Sequence, residues 1–298
     1  MKVLVTGSEG YIGKHLCKML EYDSNYDVER LDLEIIPNFK QNHHINIKNA
    51  TYLSSLQYKK YDAVIHLAAL VQVGESVDHP TDYYETNITG TLNVLKYITY
   101  DNFIFASTGA AETPDSPYGL SKRVAEDIVK EHTKGKKSTI FRFYNVIGSD
   151  GFQPTNPDGL FYNLIQAAKL GTFNLYGDDY DTKDGTCVRE YVHVNDICLA
   201  LIKALHTPSL NIENLAYGDT KTVSQIIDIF KEVNSVDFKV LRFPRRMGDL
   251  VSCYLKNPSS YMERNYTYHE MLKIPQHRNT GNTLHRKYTG KYKGKQND

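Results

Sequence analysis

Neither sign of charge is in excess, since Lys plus Arg number 35 and Asp plus Glu number 35. A balanced chain offers no global electrostatic footprint for a nucleic acid or an anionic membrane, so any anion site must be local. Cysteine is sparse, with four in 298 residues, and Cys17, Cys187, Cys198 and Cys253 lie far apart without a C-x-x-C pair. That spacing excludes a disulfide-stapled miniprotein, argues against a zinc site, and fits thiols kept reduced in a cytoplasm. No stretch approaches the ~18 uninterrupted apolar residues of a membrane span. The N-terminal MKVLVTG has no apolar core followed by a small-residue cleavage site, so no signal peptide is expected. No internal repeat is found. What is present is 41% apolar and 23% charged residues, the composition of an ordinary soluble protein that can bury a core. The length, roughly twice the ~150-residue domain prior, leaves two subdomains or one large α/β unit open.

The first half alternates β-branched runs with amphipathic stretches. Val3 to Thr6, Val28 to Leu31, Ala63 to His66, Phe103 to Ala106 and Thr139 to Phe143 read as strands, with helical patterns between most of them. This order predicts a Rossmann-like, doubly wound parallel sheet, because parallel strands need crossovers and helices then cover both faces. The sheet edge is placed near residue 145, and residues 1–150 form the dinucleotide-binding domain. Residues 151–275 are expected to form a smaller C-terminal α/β lobe that binds substrate, with a cleft between the two and a chain that can cross between them. This lobe holds a Pro/Gly/Asp-rich stretch, Gly151 to Gly159, and helical runs at Leu160 to Leu170, Val194 to His206 and Val223 to Val233, before a Pro-Arg-Arg turn. Residues 276–298 carry six Lys or Arg against one acidic residue and little apolar content, the composition of a solvated, disordered tail.

Immediately after the first strand comes Gly7-Ser8-Glu9-Gly10-Tyr11-Ile12-Gly13, followed by a helix pattern through Leu16, Leu20 and Tyr22. Glycines there let the backbone turn tightly and approach a pyrophosphate, while the helix N-terminus holds negative charge. Three glycines alone also make an ordinary turn. Asp32, 19 residues beyond Gly13 at the end of the second strand, adds a carboxylate for the adenosine ribose hydroxyls. The same carboxylate would repel a 2′-phosphate, so NAD is expected rather than NADP. His66-Leu67-Ala68-Ala69 closes the third strand with small residues over which a cofactor can lie, and His66 itself is read as a packed histidine without chemistry.

Phe103 to Thr108 is a buried-strand pattern ending in two hydroxyls, and ten residues past Thr108 stands Tyr118-Gly119-Leu120-Ser121-Lys122. On a helix, Tyr118 and Lys122 share one face. A phenol near pKa 10 is a poor base at neutral pH, whereas a nearby cation favours its ionised form, so Lys122 is expected to lower the Tyr118 pKa.

These residues resemble the extended short-chain dehydrogenase/reductase family, and within it the UDP-galactose 4-epimerases, from about residue 1 to about residue 255. The cofactor loop and Tyr-x-x-x-Lys indicate the superfamily. More discriminating are Val73-Gly74-Glu75-Ser76, Phe141-Arg142-Phe143-Tyr144-Asn145, and above all Tyr176 to Val194, YGDDYDTKDGTCVREYVHV. The resemblance implies that Thr108 bonds the sugar O4, that Tyr118 moves its proton, and that Lys122 holds the nicotinamide ribose. It places Tyr11, Ile12, Asp32, Asn46, Ile47, Leu67, Ala68, Ala69, Asn87 and Tyr144 at cofactor-contacting positions, beside Gly7, Gly10 and Gly13. Asn145, Leu160, Tyr176, Arg189, Arg246 and Asp249 match positions that grip the UDP group. Arg offers a planar fork of donors that suits diphosphate oxygens. The implied reaction is transient oxidation at C4 of a UDP-sugar by a tightly bound NAD, with return of the hydride to the other face and no net redox change. A homodimer is expected by the same resemblance, while a cytoplasmic setting and the lack of nucleic-acid or membrane partners rest on the cysteine, charge and hydropathy readings above.

The chain also departs from the family pattern. The loop Gly109 to Pro117 is shorter by about fifteen residues, a trimming that folding tolerates. Val71 stands where many relatives carry Lys, Asn46 where Asp is usual, and Gly159 where an Asn supports the diphosphate, which implies differently balanced binding with the same chemistry. Cys253 falls where some members carry a bulky Tyr beside the sugar C2 group, so room for an N-acetyl group is expected. A 4,6-dehydratase would want an Asp-Glu pair directly after the strand-end Thr, whereas Thr108 is followed by Gly109-Ala110-Ala111 and only Glu112 offers a lone acid. A UDP-glucuronate decarboxylase, which wants a cation facing the sugar carboxylate, stays open, as does a non-catalytic NAD-binding scaffold on the same fold.

Overall fold

A computed structural model describes residues 1–34, 41–246, 251–253 and 259–274. Seven parallel strands form the larger sheet: β1 (Lys2–Thr6), β2 (Asp27–Asp32), β3 (Asn42–His44), β4 (Lys60–His66), β5 (Thr99–Thr108), β6 (Lys137–Phe143) and, from far along the chain, a strand at Ile212–Leu215. Their spatial order puts that late strand outside β6, followed by β5, β4, β1, β2 and β3. Connections run one way from β1 through β2 to β3 and the other way from β4 outward, so the order reverses between β1 and β4. An open α/β sheet binds its ligand in the crevice above such a reversal.

Helices cover both faces. Helix α1 (Tyr11–Tyr22) packs on one face, while α2 (Ala50–Ser54), α5 (Gly90–Tyr97) and α6 (Pro117–His132) pack on the other. Between them run α3 (Val73–Asp78), α4 (Pro80–Tyr83) and a widened π-helical turn at Tyr84–Thr89. The inner strands are buried on both faces, as their near-continuous apolar runs demand, with Val3, Leu4, Val5, Phe103, Ile104 and Phe105 each fully buried. Ser116 caps α6, its Oγ accepting from the Gly119 amide at 3.1 Å, and Pro117 starts the first turn, where its missing N–H costs nothing.

The smaller lobe contains β7 (Asn145–Ile147), α7 (Leu160–Leu170), β8 (Thr172–Tyr176), β9 (Val188–His193), β11 (Thr220–Thr222), α9 (Val223–Asn234), β12 (Lys239–Phe243), β13 (Ser252–Cys253) and α10 (Tyr268–Met271). Strand β9 pairs with β7, β11 and β13, while β12 pairs with β8. Phe161, Phe173, Phe230 and Phe238 form its core with Ile226 and Met271.

Between β9 and β11 the chain returns to the larger sheet through α8 (Val194–His206) and β10, the strand at Ile212–Leu215. Ile197, Cys198 and Leu201 of α8 pack with Leu16, Cys17 and Leu20 of α1. The sheet edge expected near residue 145 is therefore corrected: β10 pairs with β6 one strand further out, in register from Ile212 with Ile140 to Leu215 with Phe143. Among the described residues no helix is long and apolar enough to cross a membrane. The basic segment 276–298 lies outside the described residues.

Candidate active site

A cavity of about 1050 Å³ opens above the reversal between β1 and β4 and continues to the smaller lobe. Its floor is the turn from β1 into α1. Gly7 adopts φ +69°, and a Cβ there would meet the Ala68 amide nitrogen at 2.6 Å. A Cβ on Gly13 would stand 2.1 Å from the Gly7 carbonyl oxygen. Gly10, the N-cap of α1, is exposed and leaves the first amides of the helix open without a side-chain cap. Those N–H groups have no partner inside the helix, and the helix dipole adds positive potential, so the turn suits a pyrophosphate.

Asp32 lines the cavity at the end of β2. Its Oδ2 accepts from the Glu9 amide at 2.8 Å and its Oδ1 from the Leu33 amide at 2.6 Å. The carboxylate thus fastens the glycine turn as well as facing the cavity. Asn46, Ile47, Leu67, Ala68 and Ala69 line the same end. The residues present fit a dinucleotide: glycine backbone at one helix N-terminus, an acid beyond the second strand, and small side chains across the strand ends.

Thr108, Tyr118 and Lys122 meet in the middle of the cavity lining. Tyr118 sits in the first turn of α6, where a helix N-terminus favours negative charge, and its phenol is within the influence of the Thr108 hydroxyl. The Thr108 Oγ1 also accepts from the Ala110 amide at 3.3 Å. Tyr83 packs edge-on against Tyr118, ring centroids 6.3 Å apart, and its own hydroxyl donates to Glu75 at 2.7 Å. The Lys122 ammonium lies over the face of Phe105, 4.3 Å from the ring centroid.

The pKa directions correct one expectation. Burial raises the Tyr118 phenol to about 12, against the opposing pull of the Thr108 hydroxyl. Burial also lowers Lys122 to about 7, with Glu126 pulling it back up. Lys122 therefore does not lower Tyr118 in the protein alone, because its ammonium faces an aromatic ring and both groups are removed from water. His66, read as structural, is fully buried, with Nδ1 2.6 Å from the Thr6 hydroxyl and Nε2 3.0 Å from that of Thr91. Burial, then the charge of Lys122, lowers it to about 3, so it is neutral.

Toward the smaller lobe the lining continues through Tyr144, Asn145 and Leu160. Asn145 donates to the Glu190 carbonyl at 3.0 Å. Gly159 caps α7 without a side-chain bond, and Gly159, Leu160, Phe161 and Tyr162 face the cavity, so a second uncapped helix N-terminus addresses it from the far end. The Tyr144 ring lies on Gly109, where a Cβ would be 2.7 Å from the ring. An Asp at 109, the first acid a dehydratase would want, would have to displace the Tyr144 ring.

Several expected contacts lie elsewhere. Asn87 is buried, lies behind the cavity lining, and spends its amide on groups of the fold. Its Oδ1 accepts from the Leu70 amide at 2.9 Å, and its Nδ2 donates to the Leu70 carbonyl and to Ser121. It ties the segment after β4 to the helix bearing Tyr118. Tyr176, Arg189 and Arg246 also lie outside this lining. Arg246 stacks on Tyr176, 4.9 Å from the ring centroid, and Arg189 donates to its own Val188 carbonyl at 3.0 Å. Asp249 and the Cys253 side chain lie outside the described residues, while the Cys253 backbone pairs with Arg189 across β13 and β9.

One residue that matters, Glu126, was not singled out by sequence, and Ser107 and Arg142, named only within motifs, were not read as its partners. Glu126 is fully buried, accepting from Ser107 at 2.5 Å and from Arg142 at 2.8 Å through both carboxylate oxygens. Its spacing was a signal, since 118, 122 and 126 fall on one helical face. Its partners on β5 and β6 had no local signal.

The doubly wound fold, the glycine turn with its acid, and a Tyr/Lys pair beside a strand-end threonine define a nicotinamide-dinucleotide enzyme of the short-chain dehydrogenase/reductase type. The chain belongs to the NAD dependent epimerase/dehydratase family, whose pattern matches residues 3–218. It is 30% identical to a UDP-glucose 4-epimerase of Pasteurella multocida (strain Pm70), over 90% of this chain and 93% of that one. Among solved structures it superposes on UDP-glucose 4-epimerase from Bifidobacterium longum in complex with NAD+ and UDP, with a TM-score of 0.80 and 27% identity. That match covers 91% of this chain and 96% of the other. The UDP-Glc/GlcNAc 4-epimerase of Campylobacter jejuni gives a TM-score of 0.73 and 29% identity, over 91% and 97%.

Proposed function

We propose that this chain interconverts UDP-glucose and UDP-galactose by transient oxidation at C4, with NAD held throughout the cycle. One observation carries the reading: Thr108, Tyr118 and Lys122 stand in one cavity between two uncapped helix N-termini, those of α1 and α7. Two diphosphates, one from the cofactor and one from the substrate, match two such anion sites. The NAD end is formed by the glycine turn, Asp32, Asn46, Ile47 and Leu67 to Ala69. NAD, when bound, supplies the hydride acceptor and a cationic ring.

Tyr118 takes the proton of the sugar C4 hydroxyl and returns it, and Thr108 holds that hydroxyl in line. Lys122 presents its ammonium to the ribose. No acceptor among the described residues takes that ammonium, so its donors remain for a ligand. Asn145 and Leu160 line the end of the cavity where the UDP group is proposed to lie, while Tyr176, Arg189, Arg246 and Asp249 are carried as UDP-binding positions on the family resemblance alone. The phenol is raised to about 12 by burial, and a cation brought beside it moves it toward the neutral range. Activity is thereby tied to an occupied dinucleotide site. Relatives include a UDP-Glc/GlcNAc enzyme, in keeping with a site that also takes N-acetylated UDP-hexoses. The chain is proposed to act as a cytoplasmic homodimer.

Incubating purified protein with UDP-galactose, with and without added NAD, tests the reading. UDP-glucose forms without net NADH. Formation of a dehydrated or decarboxylated sugar, or no conversion of any UDP-hexose, overturns it.

A further inference from the structure

We propose that Glu126 is a positioning residue for the site: its buried carboxylate, clamped between Ser107 and Arg142 one helical turn beyond Lys122, holds the face of α6 that bears Tyr118 and Lys122 against the ends of β5 and β6. The proposal rests on the reading of Lys122 given above and extends it to a group that touches neither cofactor nor substrate.

The geometry is specific. Arg142 Nε and Nη2 each donate to a different Glu126 oxygen at 2.8 Å, and Ser107 Oγ donates to Oε1 at 2.5 Å. Glu126 is 0% exposed and Arg142 7%. Ser107 precedes Thr108, and Arg142 precedes Phe143 and Tyr144, all three of which line the cavity. A single carboxylate thus joins α6 and β5, which carry the reacting groups, to β6. Fold stability is a weak reason for such a group, because a buried ion pair seldom exceeds an apolar pair of the same volume.

The charge argument is local. Lys122 stands one helical turn before Glu126, over Phe105 and largely out of water. Among the described residues, the groups that bear on it are Glu126 from α6, neutral His66 from β4 and the uncharged ring of Phe105 from β5, and Tyr118 stands one turn before it on α6. Arg142 of β6 has its charge matched by Glu126, while the Tyr83 and Glu75 pair of α4 and α3 reaches Tyr118. Burial drives Lys122 toward neutrality, and Glu126 is the anion that opposes it. An ammonium that lost its proton would offer the ribose a weaker donor.

Two variants separate this role from folding. Glu126→Gln keeps the size but removes the charge and strands the Arg142 cation. The double variant Glu126→Gln/Arg142→Met removes both charges and recovers thermal stability. The readout is the midpoint of the Lys122 ¹³Cε titration in the purified full chain, assigned with Lys122→Met. The midpoint falls by about one pH unit in the single variant, about a tenfold loss of ammonium above it, and stays below wild type in the double variant. Epimerase kcat falls about tenfold in parallel, its pH limb moves the same way, and KM for the UDP-sugar holds. An unchanged midpoint in the single variant, or its full return in the double variant, overturns the proposal. A wild-type chain that converts no UDP-hexose refutes the proposed function instead and leaves the titration to decide the role of Glu126.

Discussion

The Lys122 ammonium rests on the ring of Phe105, 4.3 Å from its centroid, and the Tyr118 phenol one helical turn away turns to the Thr108 hydroxyl. Both groups are displaced in the direction that burial dictates, the phenol up and the amine down. A buried tyrosine at about 12 holds its proton at neutral pH. The geometry for proton transfer is therefore built into the fold, while the driving force depends on charge that a ligand brings.

Tyr118→Phe removes the proton carrier and leaves the glycine turn and Asp32 intact. Turnover falls by about 10²–10⁴-fold, the usual contribution of acid/base catalysis, while NAD remains with the purified protein. Thr108→Val costs about fivefold, in line with one hydrogen bond of about 1 kcal/mol. Steady-state assays alongside cofactor extraction check both, and a Phe variant with wild-type turnover removes the catalytic assignment.

Asp32 fastens Glu9 of the turn and lines the cavity. In Asp32→Asn the amide retains one acceptor for backbone N–H but loses the charge that repels a 2′-phosphate. NAD binding weakens about tenfold while NADP binding is less penalised, so the ratio of the two dissociation constants shifts toward NADP. Fluorescence titration measures both, and an unchanged ratio removes Asp32 from cofactor selection.

His66 makes stability depend on pH. Its folded pKa lies near 3, set first by burial and then by Lys122, below the ordinary value near 6.5. The unfolded chain takes up this proton first, so the contribution is fully present above about pH 6.5 and is lost as pH falls toward 3, by about 1 kcal/mol per unit at full slope. In His66→Gln the urea midpoint declines less steeply across that window. Parallel curves for variant and wild type run against the assignment.

Cys253 stands in register with Arg189 on the edge of the smaller lobe. The Cys253→Tyr substitution reduces UDP-N-acetylglucosamine turnover at least tenfold more than UDP-galactose turnover, the discrimination expected of a pocket that loses room for a substituent. Equal losses on both substrates detach Cys253 from sugar selection.

Much of the scaffold was legible before any coordinates. Helices α7 and α8 fall at Leu160–Leu170 and Val194–His206, where the apolar spacing places them, because periodicity reports which face is buried. The glycine turn, its distant acid and the Tyr/Lys pair were legible for the same reason: each is a local pattern with a backbone or helical cause. Less visible were β3, three residues long, and β10, four, since runs of that length carry no distinctive alternation.

From the sequence alone came the parallel sheet, the dinucleotide turn and the face of α6 that bears Tyr118 and Lys122, all dictated by neighbours a few residues apart. Only the tertiary structure decided that β10 completes the larger sheet, that Asn87 braces the cavity wall, and that Glu126 meets Arg142 sixteen residues away. It also decided the sign of the Tyr118 shift, because desolvation depends on everything packed around a group, and that surrounding is assembled from segments distant in the chain.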